Sequence, residues 1–559
     1  MRLALGLAVA AGALAAAEGA LHLTALGAMQ PFFLLTEGPG GVPWATTNPQ
    51  VGDNWFRRDA WETQVRSPRP AWFPVAKSAD TYRVFVLGES SAYGTPLDDN
   101  ATWASQLGAM LQAGAQEREV QVLNLGIRAV TASVYLDVLP ELLRHEPDLV
   151  VLYTGHNELY GVRRRGFPRS MRLWRAIEDA CTGATTPAEE AERVGLRPAD
   201  RSPGGGSEER AATARFTRDL DRLVEGLRGV PLLVYLPFGN ERDLAPLCSL
   251  GGDAGVEALI ARVGEAPSAV SEASCAPELL GAAPQSAGLA WVAGWCAYAR
   301  GDGATARAVF GEAIEQDCVP VRIRASGRAA LRDLPARHPG APVVVVDPEV
   351  ALRSASPGGI LGHEVFYDHV HLTILGSWLL AREGALAVAA HPEVFGLPVQ
   401  ADALPTYEAV RALQHITPMD DWLDLARMAR YLDQSVARDA PSTPASRAQI
   451  GRDMDALWRA FDDPTRAVLE QFGAIHSEPH LALAKARLRA GDAAAALDEL
   501  YAAVAAHPGC GACRRDLAQA LEAAGDAEGA AAQAAMVGLV GGGRAGQGRR
   551  PRRGRKKAE

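Results

Sequence analysis

An α/β fold on a parallel sheet, followed by an all-helical C-terminal region, is what this sequence of 559 residues predicts, on three observations. First, five short apolar runs alternate with helical segments between Tyr82 and Glu349, and strands separated by helical crossovers pair in parallel with both faces covered. Second, a serine, a glycine and an asparagine follow the first three runs, at the strand ends where open α/β sheets place chemistry. Third, Gly-Asp pairs at 491–492 and 525–526 set a helical period of 34 residues near the end of the chain.

The elements follow in order. Residues 3–17, "LALGLAVAAGALAAA", are apolar behind Arg2, and Glu18 and His22 interrupt before "LTALGAM". A spanning helix needs about 20 apolar residues, so this stretch lies between a signal peptide and an anchor. The helical pattern runs on to Met29, which favours an N-terminal membrane anchor at 1–29 with an exported body; secretion after cleavage at "AAA" is the alternative. Residues 30–80, rich in Pro, Trp and Gly without a sustained period, read as an irregular spacer.

A main domain is expected over 81–400. Its strands are "YRVFVLG" (82–88), "VQVLNLG" (120–126), "DLVVLYTG" (148–155), "PLLVYLPFG" (231–239) and "APVVVVDPE" (341–349). Helices are read at 103–116, 134–145 and about 211–228. Two insertions interrupt the pattern: a loop at 162–210 with "RSPGGGSEER", and a helical repeat-like segment at 271–325 whose two helices join at "RGD". A helical linker is read at 401–475, and repeat hairpins at 476–538.

The chain carries a formal charge of −10, yet the tail at 539–559 holds eight basic residues against Glu559. The body is therefore near −17, which argues against a specific nucleic-acid partner. Disorder is the default reading of the Gly- and Arg-rich tail. Seven scattered cysteines (Cys181, Cys248, Cys275, Cys296, Cys318, Cys510 and Cys513) do not make a disulfide framework. An exported chain could form one or two bridges, with the pairing open.

Acyl transfer through serine needs a nucleophile, an imidazole base, a group orienting that imidazole, and donors facing the developing oxyanion. Ser90 follows the first strand, Gly126 the second and Asn157 the third, while Asp368 and His371 sit in "FYDHVHLT" at a spacing that one turn can close. Ser91 competes with Ser90 but stands where it would cap the next helix.

The set "GESSAYG", "NLGIRA", "GHNE" and "DHVHLT" resembles, in order, the four blocks of the SGNH, or GDSL, serine hydrolases, over about residues 82–395. The resemblance implies a flavodoxin-like three-layer α/β/α domain and a serine esterase or O-acyl hydrolase that needs no cofactor. It implies Ser90 as nucleophile, His371 as base and Asp368 as its partner, with an oxyanion hole formed by the Ser90 N–H, Gly126 and Asn157. Two positions depart from the family pattern: Glu89 and Glu158 stand where aspartates are usual, keeping the charge on a longer arm.

The chain looks most like a bacterial, membrane-anchored subgroup of that family carrying tetratricopeptide repeats. "GHNELYG", "GNERDLAP" (239–246) and "DCVPVRIRA" (317–325) look like secondary motifs of that subgroup, which makes Glu158, Arg242 and Arg322 candidate substrate contacts. The implied substrate is an acyl ester on a cell-envelope glycan, polysaccharide or lipid, and the repeats imply a protein partner.

Three rival readings remain. The hydrolase region could be a catalytically weak or inactive module in a repeat scaffold that binds partner proteins. His363, Glu364, Asp368, His369 and His371 crowd together, but no H-E-x-x-H or Cys-pair spacing completes a metal site. "CGAC" (510–513) is a single C-x-x-C, read as incidental or as a local disulfide.

Overall fold

The computed structural model of the chain describes residues 2–56, 67–115, 117–166, 170–181, 205–250, 254–271, 275, 286–434, 438, 440–471 and 478–542. The tail beyond 542 and parts of the 162–210 and 271–325 insertions lie outside the described residues. Strands run, in chain order, as β1 (Phe33–Glu37), β2 (Pro43–Thr47), β3 (Trp72–Pro74), β4 (Thr81–Gly88), β5 (Glu119–Asn124), β6 (Leu149–Tyr153), β7 (Leu232–Tyr235) and β8 (Val343–Val346). The chain divides into two compact units, one built mainly from 78–460 and the other from 33–47, 70–77 and the region after 461.

In the first unit, β4 to β8 form one parallel sheet in the order β5-β4-β6-β7-β8. Its five strands are the five apolar runs of the sequence. Every residue of β4 and β6 is buried, as an unbroken apolar run requires when helices cover both faces. The helix Trp103–Gly114 packs on the helix Ile374–Ala390; separately, Tyr135–Leu142 packs on Ser207–Gly226, which packs on Ala325–Arg332. The chain steps from β4 to β5 on one side and then crosses to β6 on the other. That reversal opens a crevice at the carboxyl ends of β4 and β6.

Gly88 ends β4 at φ +149°, and a Cβ there would lie 1.9 Å from the Tyr153 carbonyl oxygen, so only glycine brings the first loop this close to β6.

The inserted hairpin Ala287–Ala299 and Gly303–Gln316 packs Trp291, Trp295 and Phe310 against Ile260, Val263 and Ile360. Disulfides join Cys248 to Cys318 and Cys275 to Cys296. The first closes a loop 70 residues long at the base of the insertion, a constraint worth about 4 kcal/mol by loop-closure entropy.

The expected helical linker divides between the two units. Its helices Tyr407–Leu413, Pro418–Gln434 and Thr443–Ala460 belong to the first, where Ile416, Met428, Leu432 and Ile450 share a core with Leu97, Tyr367 and Ile374. The helix Asp463–Glu470 belongs to the second. An amphipathic pattern announces a helix but not the surface it will cover, which is why the sequence reads this segment as a connector.

The second unit holds the hairpins Pro479–Arg489 with Ala493–Ala506 and Gly511–Ala523 with Ala527–Gly542, each turning at a Gly-Asp pair. Leu481, Ala484, Leu500, Ala503, Leu517 and Leu521 make their common core, and Cys510 bonds Cys513. The same unit contains β1, β2 and β3 as an antiparallel sheet, with Phe33 opposite Thr47 and Ala45 opposite Phe73. This corrects the irregular spacer expected over 30–80. Pro43 opens β2 and Pro74 closes β3, and the third strand lies 25 residues beyond the second, so no local alternation marks the sheet.

The N-terminal segment is a helix, Arg2–Leu21, in whose last turn Glu18 accepts hydrogen bonds from the Arg172 and Leu173 backbone. Among the described residues, no helix is long and apolar enough to cross a membrane.

Candidate active site

The loop after β4 turns directly into a one-turn helix, Ser90–Tyr93, which starts at Ser90. Asp368 and His371 come from a tight loop closed by the hydrogen bond from Tyr367 N–H to the His371 carbonyl, 2.8 Å. Within it, Asp368 Oδ1 accepts from the backbone N–H groups of Val370 (2.9 Å) and His371 (2.8 Å). Its other oxygen, Oδ2, lies 2.7 Å from His371 Nδ1, and His371 Nε2 lies 2.8 Å from Ser90 Oγ. A carboxylate can only accept, so Nδ1 carries the ring proton, and Nε2 is left to accept the serine O–H.

Burial alone would raise the Asp368 carboxyl, but His371 and the hydrogen bonds it brings hold it well below the usual carboxylate range. Asp368 is therefore an anion throughout the working pH range. His156 and His369 flank this pair, and burial, followed by the nearness of the His371 ring for the first and of the Arg322 guanidinium for the second, pushes each down to about 3. Both stay neutral.

Ser91 is set apart from its neighbour. It is buried, and its hydroxyl donates to the Val370 carbonyl at 3.0 Å, which ties the short helix to the histidine loop.

The three expected oxyanion donors differ. Ser90 N–H, at the first position of its helix, has no acceptor among the described residues. Asn157 is buried, and its side-chain amide donates one hydrogen to the Val130 carbonyl at 3.1 Å, which leaves the second hydrogen for a ligand. Gly126 N–H instead donates to Asn124 Oδ1 at 3.0 Å. Gly126 matters for another reason: a Cβ there would lie 2.5 Å from Tyr93 N, so any side chain would push the Ser90–Tyr93 helix away.

Glu89 anchors the asparagine. Its Oε1 accepts from Thr154 Oγ1 and Gly155 N, both at 2.8 Å, and its Oε2 from Asn157 N at 3.2 Å. The longer arm in place of aspartate thus clamps the loop after β6 to the loop after β4. Burial, then the neighbouring Glu158, pushes Glu89 up to about 8. Burial likewise raises Glu158 to about 7, although its Oε1 accepts from Ala132 N at 2.8 Å.

The candidate substrate contacts are held internally. Arg242 pairs with Asp243 at 2.9 Å and Glu364 at 2.7 Å. Arg322 is buried, with Asp317 at 3.3 Å and the Asn240 and Leu244 carbonyls at 2.8 and 3.1 Å. Glu158 and Arg322 border a cavity of about 40 Å³ with Gly155 and His156, room for a water or two rather than an acyl chain. A larger cavity, about 290 Å³, lies at the amino-terminal starts of β7 and β8, the end of the sheet opposite Ser90.

His363 and Glu364 are also engaged elsewhere, with Ser446 at 3.2 Å and with Arg242. Among the described residues, the group close enough to share a metal ion is Glu478 with Cys510 and Cys513, and those two cysteines are joined in a disulfide.

Sequence reasoning passed over three residues. Asn124 donates to the Ala92 carbonyl at 2.9 Å and so clips the serine helix to β5; its place two residues before Gly126 was the available signal. Tyr431, from the helix Pro418–Gln434, stands edge-on to His371 with ring centroids 5.4 Å apart. Arg128 packs its guanidinium on the Tyr93 ring, 4.2 Å from the centroid. Neither of the last two carries a local signal. A scan of the chain against protein-family models finds no match, and a search of curated proteins finds none either.

Proposed function

We propose that this protein is a serine esterase or O-acyl hydrolase of the SGNH type, with Ser90 as nucleophile, His371 as general base and Asp368 as the group that orients it. One observation carries the reading: Ser90, His371 and Asp368, drawn from loops 278 residues apart in sequence, form a continuous hydrogen-bonded chain of 2.8 and 2.7 Å. A nucleophile, a base within hydrogen-bond reach and a third group fixing the base are the parts acyl transfer needs.

In the mechanism, the Ser90 O–H proton passes to His371 Nε2 as Oγ attacks the ester carbonyl carbon. The carbonyl oxygen takes the negative charge and receives hydrogen bonds from Ser90 N–H and the free Asn157 amide hydrogen. Asp368 stabilises the imidazolium. On collapse the C–O bond to the alcohol breaks, and His371 returns its proton to the leaving oxygen. Water, activated by the same histidine, then cleaves the acyl-enzyme. A sugar hydroxyl in place of that water would make the protein an acyltransferase.

The disulfides Cys248–Cys318 and Cys275–Cys296 favour an oxidising compartment, in keeping with an exported body behind an N-terminal anchor. An envelope glycan, polysaccharide or lipid ester is the substrate that location suggests. The 34-residue helical hairpins resemble tetratricopeptide repeats and would serve a protein partner.

The test incubates the purified full chain with a short-chain aryl acetate, beside Ser90→Ala and His371→Ala. Phenol release by the unmodified chain alone is the expected result. Absence of release together with absence of Ser90 labelling by a serine-directed phosphonate would overturn the reading in favour of a binding scaffold; labelling without release would select the acyltransferase form.

A further inference from the structure

Arg128 stands two residues past Gly126, on the loop that follows β5. Its guanidinium packs on the Tyr93 ring at 4.2 Å, and Tyr93 ends the short helix that Ser90 begins. Across the crevice it is close enough to Tyr431 to act on that phenol electrostatically, and Tyr431 touches the His371 ring. Arg128 is thus stacked on the residue that ends the Ser90 helix, within electrostatic reach of the tyrosine that stands edge-on to His371.

Its electrostatic state is unusual for such a place. Other guanidiniums near the sheet end face carboxylates: Arg163 with Asp219 at 2.8 Å, Arg69 with Asp99 at 2.7 Å, Arg427 with Asp98 at 2.8 Å. Arg69 lies on the same Tyr93 ring, 4.6 Å from its centroid, yet its hydrogen-bond donors are met by Asp99 and by the Tyr93 and Leu97 carbonyls. Arg128 makes no ion pair or hydrogen bond among the described residues, and its Nε is buried without an acceptor. A buried donor left unmet costs free energy, and Arg322, whose Nε is also unmet, still has Asp317 and two carbonyls on its other nitrogens, whereas an anion would be the first partner of the Arg128 guanidinium. A guanidinium presents a planar fork that suits a carboxylate or a phosphate.

We infer that Arg128 forms an anion subsite beside Ser90, so that the favoured substrate is an acyl ester whose alcohol part carries a carboxylate or phosphate group. This rests on the esterase reading and names its substrate class. The body of the chain, near −17, would repel such a substrate at long range, which makes one unpaired local cation the feature that admits it.

The experiment measures binding and turnover separately. Binding of 4-acetoxybenzoate, 4-acetoxyphenyl phosphate and the neutral methyl 4-acetoxybenzoate is measured by calorimetry on the Ser90→Ala protein, where no turnover occurs. The expected result is a preference of roughly tenfold for an anionic ester over the neutral one, the size of one charge-assisted hydrogen bond, falling to about one in Ser90→Ala/Arg128→Gln. Preference for the carboxylate arm or the phosphate arm identifies the source. With the intact Ser90, the ratio of kcat/KM between charged and neutral esters should show the same preference and lose it in Arg128→Gln, with Arg128→Lys retaining part. Equal affinity for charged and neutral esters, or a preference that survives Arg128→Gln, would overturn the subsite whether or not the esters are cleaved. Selective binding without cleavage would instead leave the subsite standing and count against the esterase.

Discussion

Two polar clusters share the carboxyl end of the parallel sheet, and they are wired differently. In the first, Ser90, His371 and Asp368 form a chain with one open end: the serine hydroxyl has a base behind it and the Ser90 N–H has no acceptor among the described residues. In the second, Arg242 and Arg322 meet Asp243, Glu364, Asp317 and two carbonyls, and Arg353 pairs with Glu241 at 2.8 Å. Both clusters are rich in the residue types that do chemistry. What separates them is where the bonds point: the first leaves a nucleophile and the Ser90 N–H open beside a base, whereas the second, though Arg242 Nη1, Arg322 Nε and Glu364 Oε2 are unmet, directs its ion pairs inward and binds the segments 240–243, 317–322 and 353–364 to one another.

The largest expected effect tests the first cluster. Ser90→Ala and His371→Ala should each lower kcat for an aryl acetate by about ten-thousand-fold or more, because members of such a chain act as a unit. Melting temperature should hardly move. A double variant losing no more than either single one would show that the two residues serve one step; additive losses would break the chain into separate roles.

Arg322→Ala tests the second cluster and should fail in the opposite sense. Removing the guanidinium leaves Asp317 buried without its counter-charge, held only by the backbone N–H groups of Leu247, Cys248 and Val319, a loss of up to roughly 3 kcal/mol of folding stability, read from urea denaturation. Should the variant keep its stability while KM rises, Arg322 would be a substrate contact after all.

Asn157→Ala comes next and discriminates within the first cluster. Loss of one oxyanion donor costs roughly 100- to 1,000-fold in kcat with KM little changed. Gly126→Ala should also lower kcat, by displacing the Ser90–Tyr93 helix, and its Asn124→Ala counterpart would free the Gly126 N–H as well as loosen that helix. A gain of activity in Asn124→Ala would restore Gly126 to the oxyanion hole.

What the sequence made legible was whatever is carried by contiguous residues. The inner strands β4, β6 and β7 were legible because burial on both faces leaves a largely apolar run, the half-buried edge strands β5 and β8 because short Val-rich runs mark them, and Ser90 with the Asp368–His371 pair because each sits in a short motif at a strand end or in one turn. Tyr431 and Arg128 were not, since each acquires meaning only when the helix Pro418–Gln434 and the loop after β5 are brought to the same crevice. The antiparallel sheet of β1 to β3 was hidden by its short strands and distant third partner. Cysteine pairing was hidden for the same reason: Cys248 and Cys318 become neighbours only when the insertion folds between them.

The smallest effect concerns Glu89, which joins the reacting loop to the asparagine loop and reports on the boundary between a site that reacts and a scaffold that holds. Its folded carboxyl is pushed up to about 8, by burial first and by Glu158 second, against an ordinary value of 4.5. Between those two values the folded chain holds a proton that the unfolded chain has released. The folded state then binds more protons, so its stability falls as pH rises across that window and levels off above it. Glu89→Gln removes the titration while keeping a carbonyl oxygen for Thr154 and Gly155. Relative to the unmodified protein, the variant should therefore gain stability steadily from about pH 5 to pH 8, at up to roughly 1 kcal/mol per pH unit by the same linkage. Parallel stability curves for the two proteins would mean that Glu89 is ionised in the folded chain. Its three hydrogen bonds, rather than its burial, would then set its charge, and the clamp on Asn157 would be an anionic one.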